Sequence, residues 1–267
     1  MKTALRESVG THVILIVAAL FAVYPLGSIV VSALSNRSGS AIDWGNFAVA
    51  WTRSHFASAL LSSAIIAVTV VVVTAVVSCL AGYALATMRV PGGRLLMALL
   101  LVGLVLPYEV TVLPLYQLLS GWGLVDTSWA LILPQVGLSV PLGVFWMRTF
   151  FASVPTEILE AARMDGASRF AILRQVLLPI AGPALATLST ILFLFTWNEF
   201  LLALVLVPGN EAVQTAPLAL SFFAGTDRAS NPSVTAAAAV LVALPIVVAY
   251  IALQRRLITG LTAGAVK

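Results

Sequence analysis

The run ALLSSAIIAVTVVVVTAVVSCLAGYALA, from Ala59 to Ala86, contains no charged side chain. It is longer than the roughly 20 apolar residues a helix needs to cross a bilayer. Five further stretches are long and mainly apolar: His12 to Leu34, Leu95 to about Leu119, about Trp129 to Phe151, about Val176 to Val207, and about Val234 to Leu253. The expectation is an all-α polytopic protein with about six transmembrane helices. Composition agrees. Of 267 residues, 61% are hydrophobic and 9% charged, against about 45–50% and about 25% in soluble domains. The mean hydropathy is +1.07. A water-soluble domain of this size has too little interior to hide that much apolar surface, so lipid is the expected solvent.

The first stretch has a basic start (Lys2, Arg6) and a Ser-Ala-Leu-Ser segment near its end, at 32–35, as a cleaved signal peptide would. Its apolar length exceeds the roughly 7–15 residues of a signal core, which favours a retained span. The single cysteine, Cys79, permits no intrachain disulfide. The basic residues are scattered among the ends of the spans and form no patch, which argues against nucleic acid.

Charge placement orients the spans. With the N-terminus in the cytoplasm, six crossings return the C-terminus there. Lys2, Arg6, Arg89, Arg94, Arg148, Arg163, Arg169, Arg174, Arg255, Arg256 and Lys267 then lie inside, and Arg37, Arg53 and Arg228 outside. That arrangement obeys the positive-inside rule. Within the second span, Ser78, Gly82 and Ala86 share a face at four-residue spacing. Such a stripe either lets two helices approach closely in lipid or merely reflects an alanine-rich helix.

The longest inner loop, SVPTEILEAARMDGASRFAILRQVLLPIAGP (Ser153 to Pro183), is also the most charged stretch of the chain. Pro155 suits the first turn of a helix, and Glu157 and Glu160 suit its positive end. Asp165-Gly166 offers a turn, Ser168 a cap for a second helix, and Pro179 a stop or kink. Two short helices around a glycine elbow are expected at the inner surface, either lying in the headgroups or docking a partner.

Glu160-Ala161-Ala162, Gly166 and Leu178-Pro179 resemble, in identity and spacing, the EAA loop of bacterial ABC importer permeases, with Val176 where isoleucine is usual. Asp165 and Ala167 flank the glycine as in sugar-importing members. The resemblance continues in AGYALATMRVPGGR (Ala81 to Arg94), EVTVLPLYQLL (Glu109 to Leu119), GLVDTSWALILPQ (Gly123 to Gln135), TWNEFLLAL (Thr196 to Leu204) and the tail QRRLITGLTAGAVK (Gln254 to Lys267). These stretches are similar to the second permease of maltose-type and glycerol-phosphate-type systems. Near the start of the second span, Leu61-Ser62-Ser63 stands where relatives often carry an asparagine.

The resemblance implies the type I ABC importer transmembrane fold. It implies a cytoplasmic N-terminus over 1–11, one permease domain over 12–267, a coupling loop at about 153–179 and a cytoplasmic tail at about 254–267. Glu160, Ala161, Ala162, Asp165, Gly166 and Ala167 would couple to an ATPase, the two alanines by permitting close approach. The implied partners are a second homologous permease, two ATPase subunits, an extracytoplasmic substrate-binding protein delivering cargo to outer loops such as 210–232, a sugar, and the bilayer of a bacterial inner membrane.

A phosphate-binding P-loop needs a lysine inside its motif, and the only lysines are Lys2 and Lys267. No cofactor is therefore expected on this chain. ATP and magnesium belong to the partner ATPase, and this chain is a non-catalytic subunit. His12 and His55 stand apart from each other and from any cysteine, so no metal site is expected. A charge inside a span costs about 2.5–3.5 kcal/mol at the helix centre, which singles out Glu109 and Glu199. Tyr116, Trp197 and Asn198 lie near them, and aromatic faces beside amides and carboxylates suit a polyol path. The alternatives are a proton-coupled secondary transporter using Glu109 or Glu199, an ABC permease for a non-sugar solute, and a membrane scaffold.

Overall fold

In a computed structural model of the chain, residues 2–36, 41–53, 56–227 and 231–263 are described. Arg37, His55, Arg228 and Lys267 lie outside them. The described residues are helical apart from turns and one isolated bridge between Ser35 and Ile42. The chain divides into two compact units: 1–57 with 219–245, and 58–218 with 246–267.

The first unit holds α1 (Lys2–Leu34), α2 (Gly45–Arg53), most of α12 (Ala216–Asp227) and the first part of α13 (Pro232–Ala263). From Val13 to Val31 the large apolar side chains of α1 are exposed, Phe21 at 83%, as befits a helix whose solvent is lipid. The last carbonyls of a helix have no partner inside it. Here the buried Asn46 carboxamide donates to the carbonyls of Ala33 (3.0 Å) and Ser35 (3.0 Å), stapling the end of α1 to α2.

The second unit is built on α3 (Phe56–Thr87) and α6 (Ser128–Ser153), two unbroken spans whose limits fall within three residues of those expected. Around them two spans are broken. The third span, expected as one helix over 95–119, is instead α4 (Gly93–Val105), a 3₁₀ turn (Tyr108–Thr111) and α5 (Val112–Gly121), bent by 94°. The break comes at Leu106-Pro107, both extended, because proline disfavours helical geometry in the residue before it. Pro114 sits in the first turn of α5, where its missing N–H costs nothing.

The fifth span, expected over 176–207, also differs. After α7 (Thr156–Met164) come α8 (Arg169–Ala171), a π turn (Ile172–Leu177) and α9 (Leu178–Ile180), which run on continuously. The wide π turn relieves the clash between the Pro179 ring and the preceding turn. The bend of 76° therefore falls at Ala181, past Pro179, and α10 (Gly182–Asn198) follows. A second break at Glu199-Phe200 separates off α11 (Leu201–Leu206). Among the described residues, four helices are long and apolar enough to span, and up to six crossings result if each bent pair is one.

Two buried clusters mark the ends of this unit. One gathers Ile66, Val112, Leu119, Leu131, Leu202 and Leu218, and the other Tyr83, Met147, Phe151, Leu159, Leu177 and Leu188. The second lies at a basic end. There the Tyr83 hydroxyl donates to the Arg169 carbonyl at 3.0 Å, joining the C-terminal part of α3 to the end of the 153–169 loop. At the first cluster's end, the Ser62 hydroxyl donates to the Val213 carbonyl (3.0 Å), and Ser63 Oγ accepts from the Ala216 N–H (2.8 Å). The two serines thus hold the segment that follows α11.

Candidate functional site

The breaks at Leu106-Pro107 and Glu199-Phe200 open onto one cavity of about 570 Å³ in the second unit. Leu104, Leu106 and Tyr108 line it from the first break, and Phe195, Asn198 and Glu199 from the second. Gln135, Leu138, Ser139 and Leu142 line it from α6. The volume falls inside the roughly 300–1,000 Å³ usual for small-molecule sites.

Glu199 has two roles here. It lines the cavity, and its Oε1 accepts the Leu202 N–H at 2.8 Å, satisfying one of the free donors at the start of α11. A carboxylate at that position also complements the helix dipole. Its cost within the membrane is thereby reduced. Asn198 Nδ2 donates to the Leu194 carbonyl at 2.8 Å. Tyr108 stands beside the carboxylates of Glu199 and Glu109.

The other sequence candidates lie elsewhere. Glu109, in the 3₁₀ turn, and Tyr116, on α5, are exposed and are not among the cavity residues. Trp197 is buried, 3% exposed, with its ring 5.5 Å from that of Phe193. Both rings lie on α10, one turn apart.

The 153–169 loop forms the second part of the site. α7 ends in a Schellman turn: the Gly166 N–H donates to the Arg163 carbonyl and the Ala167 N–H to the Ala162 carbonyl, each at 3.0 Å. That turn needs a left-handed residue at the elbow, and Gly166 has φ of 79°. Ser168 Oγ accepts the Ala171 N–H at 3.2 Å and caps the next helix, as its position in the sequence suggests. Glu160, Ala161, Asp165 and Gly166 are exposed, whereas Ala162 and Ala167 turn inward and pack on the basic-end cluster with buried Leu159. Met164, unremarked in the sequence reading, is 88% exposed beside the elbow.

The family described as "Binding-protein-dependent transport system inner membrane component" matches residues 78–262, more than half of the chain. The chain belongs to that family. Among its relatives, the trehalose transport system permease protein SugB of Mycobacterium tuberculosis is 36% identical over 85% of this chain and 83% of its own length. The melibiose/raffinose/stachyose import permease protein MelC of Bacillus subtilis is 32% identical over 85% and 82%. A solved bacterial ABC transporter involved in the import of the acidic polysaccharide alginate superposes with a TM-score of 0.77. It is 24% identical, over 96% of this chain and 98% of that one, and shares the fold.

The helices of this permease bring Asn198 and Glu199 together with groups the sequence reading did not assign to the path. Gln135 and Ser139 are the main additions. Their four-residue spacing on a helix containing Pro134 and Pro141 is the only trace they leave in the sequence.

Proposed function

We propose that this permease is one transmembrane half of an ATP-driven sugar importer. In this reading the cavity at Glu199 is part of the path and the Gly166 elbow is the seat for a separate ATPase. The observation that carries it is the elbow itself. A glycine-locked turn holds Glu160, Ala161, Met164 and Asp165 outward, while Ala162, Leu159 and Ala167 anchor it to the membrane helices. A push on such an element reaches the spans. An exposed methionine is a fitting contact for a partner's groove, being flexible and polarisable.

Sugar as cargo rests on the relatives, which are described as permeases for trehalose and for melibiose, raffinose and stachyose. Arg89, Arg94, Arg148, Arg163, Arg169 and Arg174 flank the spans on the elbow's side, which supports a cytoplasmic elbow and cytoplasmic termini by the positive-inside rule. The remaining partners are a second homologous permease, two ATPase subunits carrying ATP and magnesium, and an extracytoplasmic binding protein. This chain has no catalytic role and binds no cofactor itself.

Gly166→Pro tests the coupling role. Proline fixes φ near −65° and lacks the N–H that closes the turn, while the exposed elbow leaves the membrane helices untouched. The expected result is a stable permease that no longer co-purifies with an ATPase. Gly166→Ala has open space around its Cβ, so only the left-handed backbone opposes it, by about 1–2 kcal/mol, and partial retention is expected. Uptake that persists without any ATPase and collapses with the proton gradient would sink the reading.

A further inference from the structure

Gln135 is more than nine-tenths buried, 6% exposed, and lines the cavity. Its carboxamide makes no hydrogen bond to any described residue. Neither of its polar atoms is among the fully buried unpaired ones, so the amide faces the cavity rather than the packed interior. A polar group on a cavity wall that is not committed to a protein partner can orient whatever enters the cavity. One turn along α6, Ser139 adds a hydroxyl to the same wall. Also on the lining, Asn198 has spent its amide on the Leu194 carbonyl, leaving its oxygen as an acceptor, while the Glu199 carboxylate serves the Leu202 N–H and the Tyr108 side chain. The lining thus offers a donor-acceptor amide, a hydroxyl and an uncommitted amide oxygen. Leu104, Leu106, Leu138 and Phe195 supply the apolar remainder. That pattern matches a sugar ring, with hydroxyls at its rim and C–H groups on its faces.

We infer that Gln135 reads the cargo: its carboxamide hydrogen-bonds a ring hydroxyl of a sugar in transit, so this subunit itself screens what passes. The inference rests on the proposed function and adds to it a ligand contact within this chain. Gln135→Met is the central variant, since it keeps length and flexibility and removes both polar atoms.

The complete transporter, with partner permease, ATPases and binding protein, is reconstituted in proteoliposomes and offered labelled trehalose, melibiose and raffinose. Gln135→Met should lower ATP-driven uptake of the accepted sugar by about tenfold, the weight of one net hydrogen bond, and alter the ratio among the three. Gln135→Asn, which keeps the amide, should recover part of the loss. Wild-type rates and ratios in Gln135→Met overturn the inference. If Gln135→Met fails to assemble, Gln135→Cys in a Cys79→Ser background gives a second measure. The accepted sugar should slow its modification by a small methanethiosulfonate severalfold, and equal rates with and without sugar overturn the inference. Wild-type uptake that is absent for all three sugars or independent of the ATPase counts against the importer reading itself, and the inference falls with it. Wild-type behaviour of Gln135→Met in a working importer counts against Gln135 alone.

Discussion

Gly82→Leu should yield no assembled permease, and even Gly82→Ala should lower thermal stability measurably in detergent. A Cβ at residue 82 would lie 2.8 Å from the Arg148 nitrogen, 2.9 Å from Met147 Cβ and 3.0 Å from the Met147 carbonyl carbon. Two of these three are backbone atoms, which cannot rotate aside, so α3 and α6 would have to separate. In lipid, helix association depends on close van der Waals contact rather than on expelling water, and a gap forfeits that contact along the whole seam. About 1–3 kcal/mol is the usual cost of overpacking, and leucine adds three further carbons to the clash. The seam is reciprocal: one turn away, Gly143 sits against Ser78, whose Oγ a Cβ there would overlap. Gly143→Ala should be milder than Gly82→Ala, because a serine side chain can turn. Gly137→Ala, on α6 with nothing within 4 Å, should be neutral or gain up to about 1 kcal/mol of helix propensity. Equal melting temperatures for Gly82→Ala and Gly137→Ala would refute the close seam.

The seam separates what hydropathy carries from what only packing decides. The limits of α3 and α6 were legible because an uncharged run of bilayer length has few other uses. The Ser78-Gly82-Ala86 stripe was visible too, but only the neighbouring helix decides between close packing and alanine richness. The breaks were half legible. Hydropathy measures apolarity and carries no information on direction, so a span that turns through 94° at Leu106-Pro107 scores like a straight one. Pro179 drew attention as a kink, yet a π turn absorbed it and the bend moved to Ala181, ahead of Gly182-Pro183. Glu199 stood out because a carboxylate in a span is expensive. Gln135 did not, because a neutral amide in an apolar helix is unremarkable until the cavity that leaves it unpartnered is formed by three separate segments. The elbow was the most legible part, since its turn is local and its hydrogen bonds span six residues.

Asp126→Ala should be the most damaging single change in the loops at the end opposite the elbow, lowering stability by about 2 kcal/mol and weakening uptake. Asp126 holds φ of 62°, a left-handed value uncommon outside glycine. Four hydrogen bonds hold it there. Its Oδ1 accepts from the N–H groups of Gly209 (2.9 Å) and Asn210 (3.2 Å). Its carbonyl accepts from Asn210 Nδ2 (3.0 Å), and its own N–H donates to the Leu206 carbonyl (2.9 Å). Bonds to a charged group are each worth about 1.5–3 kcal/mol when well shielded. The half-buried setting reduces that, which gives the smaller total. Alanine loses the carboxylate and keeps the strain. Asp126→Gly loses the carboxylate and relieves the strain, while Asp126→Asn keeps one acceptor oxygen and tolerates the left-handed backbone. The expected order of melting temperatures is wild type, Asn, Gly, Ala. The functional consequence follows from α11, a six-residue helix held at its far end by Asp126 and at its near end by Glu199, whose carboxylate lines the cavity. Releasing one end loosens the residue at the other. Asp126→Ala and Glu199→Gln should therefore be non-additive in uptake, because neighbours joined through one rigid element couple. Strict additivity of the two would mean that the clamp stabilises the loop without positioning Glu199.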